Sequence, residues 1–478
     1  MNTSIWICHC GRLSIAVTLL VAPMFATTAM AANATGTTQI QRGHYLAIAG
    51  DCVACHTAPG GKPYAGGLPV ATPIGSIIST NITPSKSDGI GNDSLQQFSD
   101  AVRKGIRADG KRLYPAMPYT AYAQLTNADV QALYVYFMHG VQPVDNKPPL
   151  TRLPFPFNIR LSMAAWNLLF LDKNSFVPEP GKSAEWNRGA YLVRGLTHCG
   201  TCHTPRNLMM GEEPSRVLAG ASLGTWFAPN ITSDPNSGIG HWSQQDIIDY
   251  LQAGRAPGKA QASGPMAEAV DNSLRHLTSA DLQAIVTYLK TVPAQHDAAD
   301  THAADAWGAA YADLASIRGK ALPRNPDAMS GAQLYDAYCS TCHQDRGQGS
   351  FDGGLPPLFH NTATGRSNPD NLVMVILDGI DWHTDGSGVH MPGFASELSD
   401  RQVATLGNYL TQHFGDPSVQ VSVDRVRLLR AGGAPSHLVL IAQVVVIAIL
   451  VIIALIIAAI VLALIRRRRR GANPATPH

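Results

Sequence analysis

The chain has 478 residues, more than one hydrophobic core ordinarily serves, and its 45% hydrophobic and 15% charged content excludes a largely disordered protein. Polar residues scattered along most of its length exclude a multi-span membrane protein. The formal charge of +2 divides unevenly: Arg12 and Arg466 to Arg470 sit at the ends, so residues 32–465 hold 30 basic against 34 acidic groups. A body near −4 lacks the clustered Lys and Arg that phosphate backbones require, so no nucleic-acid partner is expected.

The first residues run from Arg12 through the apolar Leu13 to Met24 to the small-residue run Ala29-Met30-Ala31-Ala32. That order predicts a signal peptide over 1–32, whose removal takes Cys8 and Cys10 with it. At the other end, Leu438 to Ile465 is 28 residues with Gln443 as its only clearly polar side chain. A helix of that length reaches about 42 Å, more than the roughly 30 Å of bilayer hydrocarbon, so a single tilted span is predicted over 438–465. The five arginines that follow begin a basic tail, 466–478, and mark the cytoplasmic end, which puts the body on the far side. In a bacterium this is the inner membrane with the body in the periplasm.

Between these ends the chain repeats itself. Cys52-Val53-Ala54-Cys55-His56, Cys199-Gly200-Thr201-Cys202-His203 and Cys339-Ser340-Thr341-Cys342-His343 are three C-x-x-C-H motifs, 147 and 140 residues apart. In the c-type haem attachment signature the two thiols form thioethers with the porphyrin and the adjacent imidazole binds iron. A structural zinc site needs four nitrogen or sulfur ligands, and no unit supplies a second cysteine pair. A dithiol redox motif leaves the three histidines unexplained. Three covalently bound haem c groups are therefore expected, on Cys52, Cys55, Cys199, Cys202, Cys339 and Cys342.

The surroundings repeat too. Arg42-Gly43-His44-Tyr45-Leu46 precedes the first pair and Arg188-Gly189-Ala190-Tyr191-Leu192 the second; Asn81-Ile82-Thr83 recurs as Asn230-Ile231-Thr232. Gly66-Gly67-Leu68-Pro69 and Gly353-Gly354-Leu355-Pro356 each place a proline thirteen residues after the motif histidine, where a carbonyl can hold the imidazole N–H. Unit two has no matching proline. Each unit closes with a helix whose start is signalled by Thr126 and Asp129, Thr278 and Asp281, or Ser399 and Gln402, with staples Leu125–Val130, Leu277–Leu282 and Leu398–Val403. Leu133, Ile285 and Leu406, with Tyr136, Tyr288 and Tyr409, then form one apolar face, read as packing against the unit's first helix.

Iron held by His56, His203 and His343 needs sixth ligands. Met117 in Pro115-Ala116-Met117-Pro118, Met266 in Gly264-Pro265-Met266 and Met391 in His390-Met391-Pro392 lie 61, 63 and 48 residues after those histidines, each shortly before a closing helix. Thioether sulfur favours ferrous iron and raises the potential, which suits an electron carrier. His390 competes with Met391.

The units span 37–142, 183–297 and 325–416. A proline-rich linker, 143–182, contains Trp166 and Phe170, a stretch that can pack between domains, touch a partner subunit or rest on the membrane, with packing the expectation; 298–324 reads as an exposed linker and 417–437 as a juxtamembrane linker. No dinucleotide or Walker loop occurs, so redox chemistry falls to the haems.

Gly50-Asp51-Cys52-Val53-Ala54-Cys55-His56-Thr57-Ala58-Pro59, Ser79-Thr80-Asn81-Ile82-Thr83-Pro84 and Tyr114-Pro115-Ala116-Met117-Pro118-Tyr119 resemble the tri-haem cytochrome c subunits of bacterial membrane-bound alcohol, aldehyde and gluconate dehydrogenases. The resemblance implies a mainly α fold of three tandem class I cytochrome c domains ahead of the transmembrane helix. It also implies a catalytic dehydrogenase subunit of flavin, quinone-cofactor or molybdenum type, with electrons relayed through the haems to ubiquinone. No catalytic residue is expected on this chain. Two other classes remain: a self-contained haem enzyme with one open iron, and a tethered carrier to a terminal oxidase.

Overall fold

The computed structural model describes residues 22–351, 354–384 and 387–471. The start of the expected signal peptide, Cys8, Cys10, Gly353 and the end of the basic tail lie outside the described residues. Among the described residues the fold is mainly helical, with four short two-stranded hairpins. Three crossed helix pairs organise it: Ala22–Ala49 with Asn127–His139, Ala184–Tyr191 with Ser279–Leu289, and Gly331–Tyr338 with Asp400–Phe414. The first helix runs without a break through Ala29–Ala32, where cleavage is expected.

The closing helices start where the capping signals place them. Thr126, Thr278 and Ser399 accept from the backbone N–H three residues on, satisfying a donor that the helix leaves unpaired. Only Ser399–Gln402 is a reciprocal capping box. Asp129 and Asp281 instead accept from Arg42 and Arg188 of the opening helices at 2.6–2.9 Å. The staple residues are all buried. Each crossing is close because a glycine sits at it. A Cβ on Gly43 would lie 2.0 Å from the Ala132 carbonyl oxygen, one on Gly189 1.9 Å from that of Ala284, and one on Gly331 2.5 Å from Tyr409 Cβ. The expected packing of Tyr136, Tyr288 and Tyr409 against the opening helices is what these contacts provide.

One apolar core runs through the first two units, and a second lies in the third. The proline-rich linker packs: Met163 and Trp166 of the helix Ser162–Phe170 are buried with Tyr114, Tyr119 and Leu153, while its Leu168 and Leu169 are exposed.

Two segments read as linkers do more than connect. Asp305, within 298–324, is buried and accepts from His241 at 2.6 Å and Lys259 at 2.9 Å, anchoring that segment to the second unit. Within 417–437, residues Val423–Arg430 form a helix that buries Val426 and Leu429 in the third core and pairs Arg425 with Asp370 and Arg430 with Asp400. Composition missed both because each owes its fixed position to partners far along the chain. The C-terminal helix Leu438–Gly471 is apolar on every side up to Ile465, ahead of its five arginines, and exposed along that membrane-length part, as expected for a span; Gln443 Nε2 donates to the Phe155 carbonyl at 3.0 Å.

Candidate haem sites

Each C-x-x-C-H motif folds as a single helical turn, at Cys52–Cys55, Gly200–His203 and Ser340–His343. The turn points both thiols and the imidazole to one side of the chain. The six cysteines form no disulfide. Burial pushes the thiols of Cys52 and Cys339 up to about 12 and that of Cys55 up to about 11, and it also raises Cys199 and Cys202. A dithiol exchange site needs the opposite, a thiolate stabilised near neutral pH. Among the described residues no three His, Cys, Asp or Glu side chains converge as a zinc site would need.

The imidazoles share one arrangement. His56 Nδ1 lies 2.6 Å from the Thr80 carbonyl, His203 Nδ1 2.6 Å from that of Pro229, and His343 Nδ1 3.1 Å from that of Pro356. A carbonyl only accepts, so Nδ1 carries the proton and Nε2 keeps its lone pair for a metal. Burial lowers all three imidazole pKa values, the carbonyls opposing it, which favours the neutral, ligating form.

The proline expected to serve His343 does so. For His56 the expected Pro69 is replaced by Thr80, because Pro69 begins the hairpin Pro69–Thr72/Gly75–Ile78. The second unit has its own proline, Pro229, missed because it lies 26 residues from His203 rather than thirteen. A signal was available: Thr80 and Pro229 each immediately precede the repeated Asn-Ile-Thr. Asn81 and Asn230 lock those loops, accepting from Thr83 and Thr232 and donating to the carbonyls of Val144 and Gln295.

The three methionines come from different local structures, and all are partly buried against the shared core of the first two units, as are Cys52 and Cys199. Met117 precedes the turn Tyr119–Tyr122, whose Tyr119 is fully buried and donates to Asn167 at 2.7 Å. Met266 lies in the first turn of Gly264–Asn272, where Gly264 has φ 49° and its missing Cβ leaves room for the Trp226 ring. Met391 ends the hairpin Ile380–Thr384/Ser387–Met391, paired with Ile380. Its competitor His390 is exposed and sits 3.4 Å from the equally exposed Asp381.

The helix Gly264–Asn272 contacts both the first attachment turn and the strand Ile380–Thr384 of the third unit. The Asp51 carboxyl acts on the thiols of both Cys55 and Cys202, and Cys202 in turn acts on Cys55. Asp51 is pushed up to about 8 by burial and by Glu268. Tyr122 donates to the Gly50 carbonyl at 2.6 Å and its ring lies 5.6 Å from that of His198. The first two attachment turns therefore face one another, a relation with no signature in the motif spacing. Thiols free of disulfides, Cys339 buried, Cys52, Cys199 and Cys202 partly so and Cys55 and Cys342 open to a ligand, together with imidazoles whose Nε2 has no partner among the described residues, fit covalently attached haem.

A cytochrome c family model matches residues 40–140 and 187–293, and a model described as cytochrome c oxidase, cbb3-type, subunit III matches 326–410. The chain is 48% identical over 416 residues to the fructose dehydrogenase cytochrome subunit of Gluconobacter japonicus, covering 84% of this chain and 85% of that one. It is 38% identical to the cytochrome c subunit of the quinone alcohol dehydrogenase of Gluconacetobacter polyoxogenes, covering 89% and 91% of the two chains. The gluconate 2-dehydrogenase cytochrome c subunit of Pantoea cypripedii is also 38% identical, covering 83% and 90%.

Proposed function

The chain belongs to the cytochrome c subunits of membrane-bound dehydrogenases, and we propose that it holds three haem c groups in three tandem class I domains and passes electrons from a catalytic dehydrogenase to ubiquinone. The observation that carries this reading is the same Nδ1-to-carbonyl bond at all three C-x-x-C-H turns. Bound haem supplies a one-electron iron couple. Cys52 and Cys55, Cys199 and Cys202, and Cys339 and Cys342 tether it; His56, His203 and His343 present Nε2; Met117, Met266 and Met391 present sulfur, a soft donor that raises the potential. The protein's part is placement and tuning.

The three relatives described above are named for dehydrogenases of fructose, alcohol and gluconate, all of which carry a hydroxyl-bearing carbon. The partner proposed here oxidises such a carbon, and its two electrons leave singly through the haems. The apolar helix Leu438–Gly471 holds the complex beside its membrane acceptor, with Arg466–Arg470 on the cytoplasmic side and the haem domains in the periplasm of a bacterial inner membrane. Purification in mild detergent tests this. Intact mass is expected to show three added haems, a large catalytic subunit to co-purify, and substrate-dependent ubiquinone reduction to be lost from membranes lacking the chain. Fewer than three haems, or a chain that purifies alone from membranes with unchanged quinone reduction, overturns it.

A further inference from the structure

Arg366 belongs to the third unit but is held against the second. It follows the turn Thr362–Gly365, whose Thr362 N–H donates to the Lys259 carbonyl at 2.7 Å. A Cβ on Gly365 would lie 1.9 Å from the Ala304 carbonyl oxygen, and Ser367 on the other side donates to Asp300 at 2.6 Å. The backbone around Arg366 is thus fixed to the second unit and its following segment.

The guanidinium itself makes no hydrogen bond or ion pair among the described residues. Nearby acidic groups have other partners: Asp305 takes His241 and Lys259, and Asp300 takes Ser367. Burial lowers the Arg366 pKa while the nearby Asp300, Tyr250 and Asp305 oppose it, and Tyr250 lies in the helix Gln244–Ala253 of the second unit. A cation so placed, partly buried and with no hydrogen-bonded partner among the described residues, gains from a further counter-ion.

Haem brings two carboxylates, its propionates, wherever it is bound, and a guanidinium fork matches a carboxylate in two parallel hydrogen bonds. We propose that Arg366 pairs with a propionate of the haem held by Cys199, Cys202 and His203, so that the third unit completes the cofactor site of the second. This rests on the haem reading above. Electrostatically, a cation at the propionate favours the reduced, more electron-rich haem and raises that haem's potential.

The test is a spectroelectrochemical titration of the full-length chain in its detergent-solubilised complex. Wild type is compared with Arg366→Gln, Arg366→Lys and, as a charge control on an exposed linker residue, Arg324→Gln. Intact mass counts the haems in each. In Arg366→Gln one of three components is expected to fall by about three- to tenfold in its reduction constant, tenfold being about 59 mV for one electron. Arg366→Lys is expected to fall by less, and Arg324→Gln to leave all three components in place. Three haems with no component displaced, or all three displaced together, overturns the pairing. If Arg366→Gln holds only two haems, Arg366→Lys decides by the same criterion. Fewer than three haems in the wild type instead refutes the haem reading.

Discussion

Tyr45, in the opening helix of the first unit, donates to Asp281 in the closing helix of the second at 2.6 Å, and Tyr191 of the second donates to Asp129 of the first in return. Each aspartate also takes the arginine of its own unit's opening helix, so one carboxylate fastens a helix crossing and a contact between the two sequence units together. Removing the Tyr45 hydroxyl as Tyr45→Phe is expected to cost about 1.5–3 kcal/mol, the range for a hydrogen bond to a charged group. Tyr191→Phe, acting on a different carboxylate, is expected to add to it rather than replace it. Melting temperatures of the single and double variants check this.

The same aspartate sets an acid limit. Burial works to raise the Asp281 pKa, but Arg188 and Tyr45 outweigh it and hold the group below its ordinary value of 3.8. Because the folded pKa is depressed, this stabilisation is fully present above 3.8 and is lost as pH falls through the folded value. Stability measured from pH 6 downward is expected to fall less steeply below pH 4 in Asp281→Asn, which has already lost the interaction.

The glycines at the helix crossings predict a size limit. Alanine in place of Gly189 favours helix by roughly 0.5–1 kcal/mol, but its Cβ would lie 1.9 Å from the Ala284 carbonyl oxygen. The pair must separate, at a cost of about 1–3 kcal/mol for overpacking. Gly189→Ala is therefore expected to be net destabilising and Gly36→Ala, with open space around it, to lack that penalty. Thermal denaturation of the two variants distinguishes them.

What the sequence made legible was local. The attachment turns and the starts of the closing helices depend on residues within a few positions, so spacing exposed them. The Asn-Ile-Thr repeat was visible, yet its task of holding the carbonyls of Thr80 and Pro229 against two imidazoles was not, because those bonds join residues 24 and 26 apart through irregular loops. Arg366 had no local mark at all; its surroundings are made by Lys259, Ala304 and Asp300, far from it in the chain.

The locked loop gives a third site to perturb. Asn230 accepts from Thr232 and donates to the Gln295 carbonyl, and Asn230→Ala releases both, freeing the Pro229 carbonyl to drift from His203. A weaker Nδ1 hydrogen bond makes the imidazole a poorer donor to ferric iron, so one component of the redox titration is expected to rise. That is the direction opposite to Arg366→Gln. A fall, or equal movement of all components, counts against the carbonyl as the orienting partner.

On sequence the third unit ends at 416, whereas the helix Val423–Arg430 packs into the same apolar core. Ending the chain after Ser436 removes the exposed apolar helix with its basic tail and is expected to leave stability and haem content unchanged while releasing the complex from the membrane. Ending it after Asp416 also uncovers the sites that Val426 and Leu429 fill, both at most 1% exposed, and strands Asp370, itself 1% exposed, without Arg425. Lost apolar burial alone amounts to about 1.5–3 kcal/mol for each of the two side chains. The shorter truncation product is therefore expected to melt well below the longer one, and to lose haem from Cys339 and Cys342 first. If both products melt alike with three haems each, the helix is an appendage to the domain and not part of it.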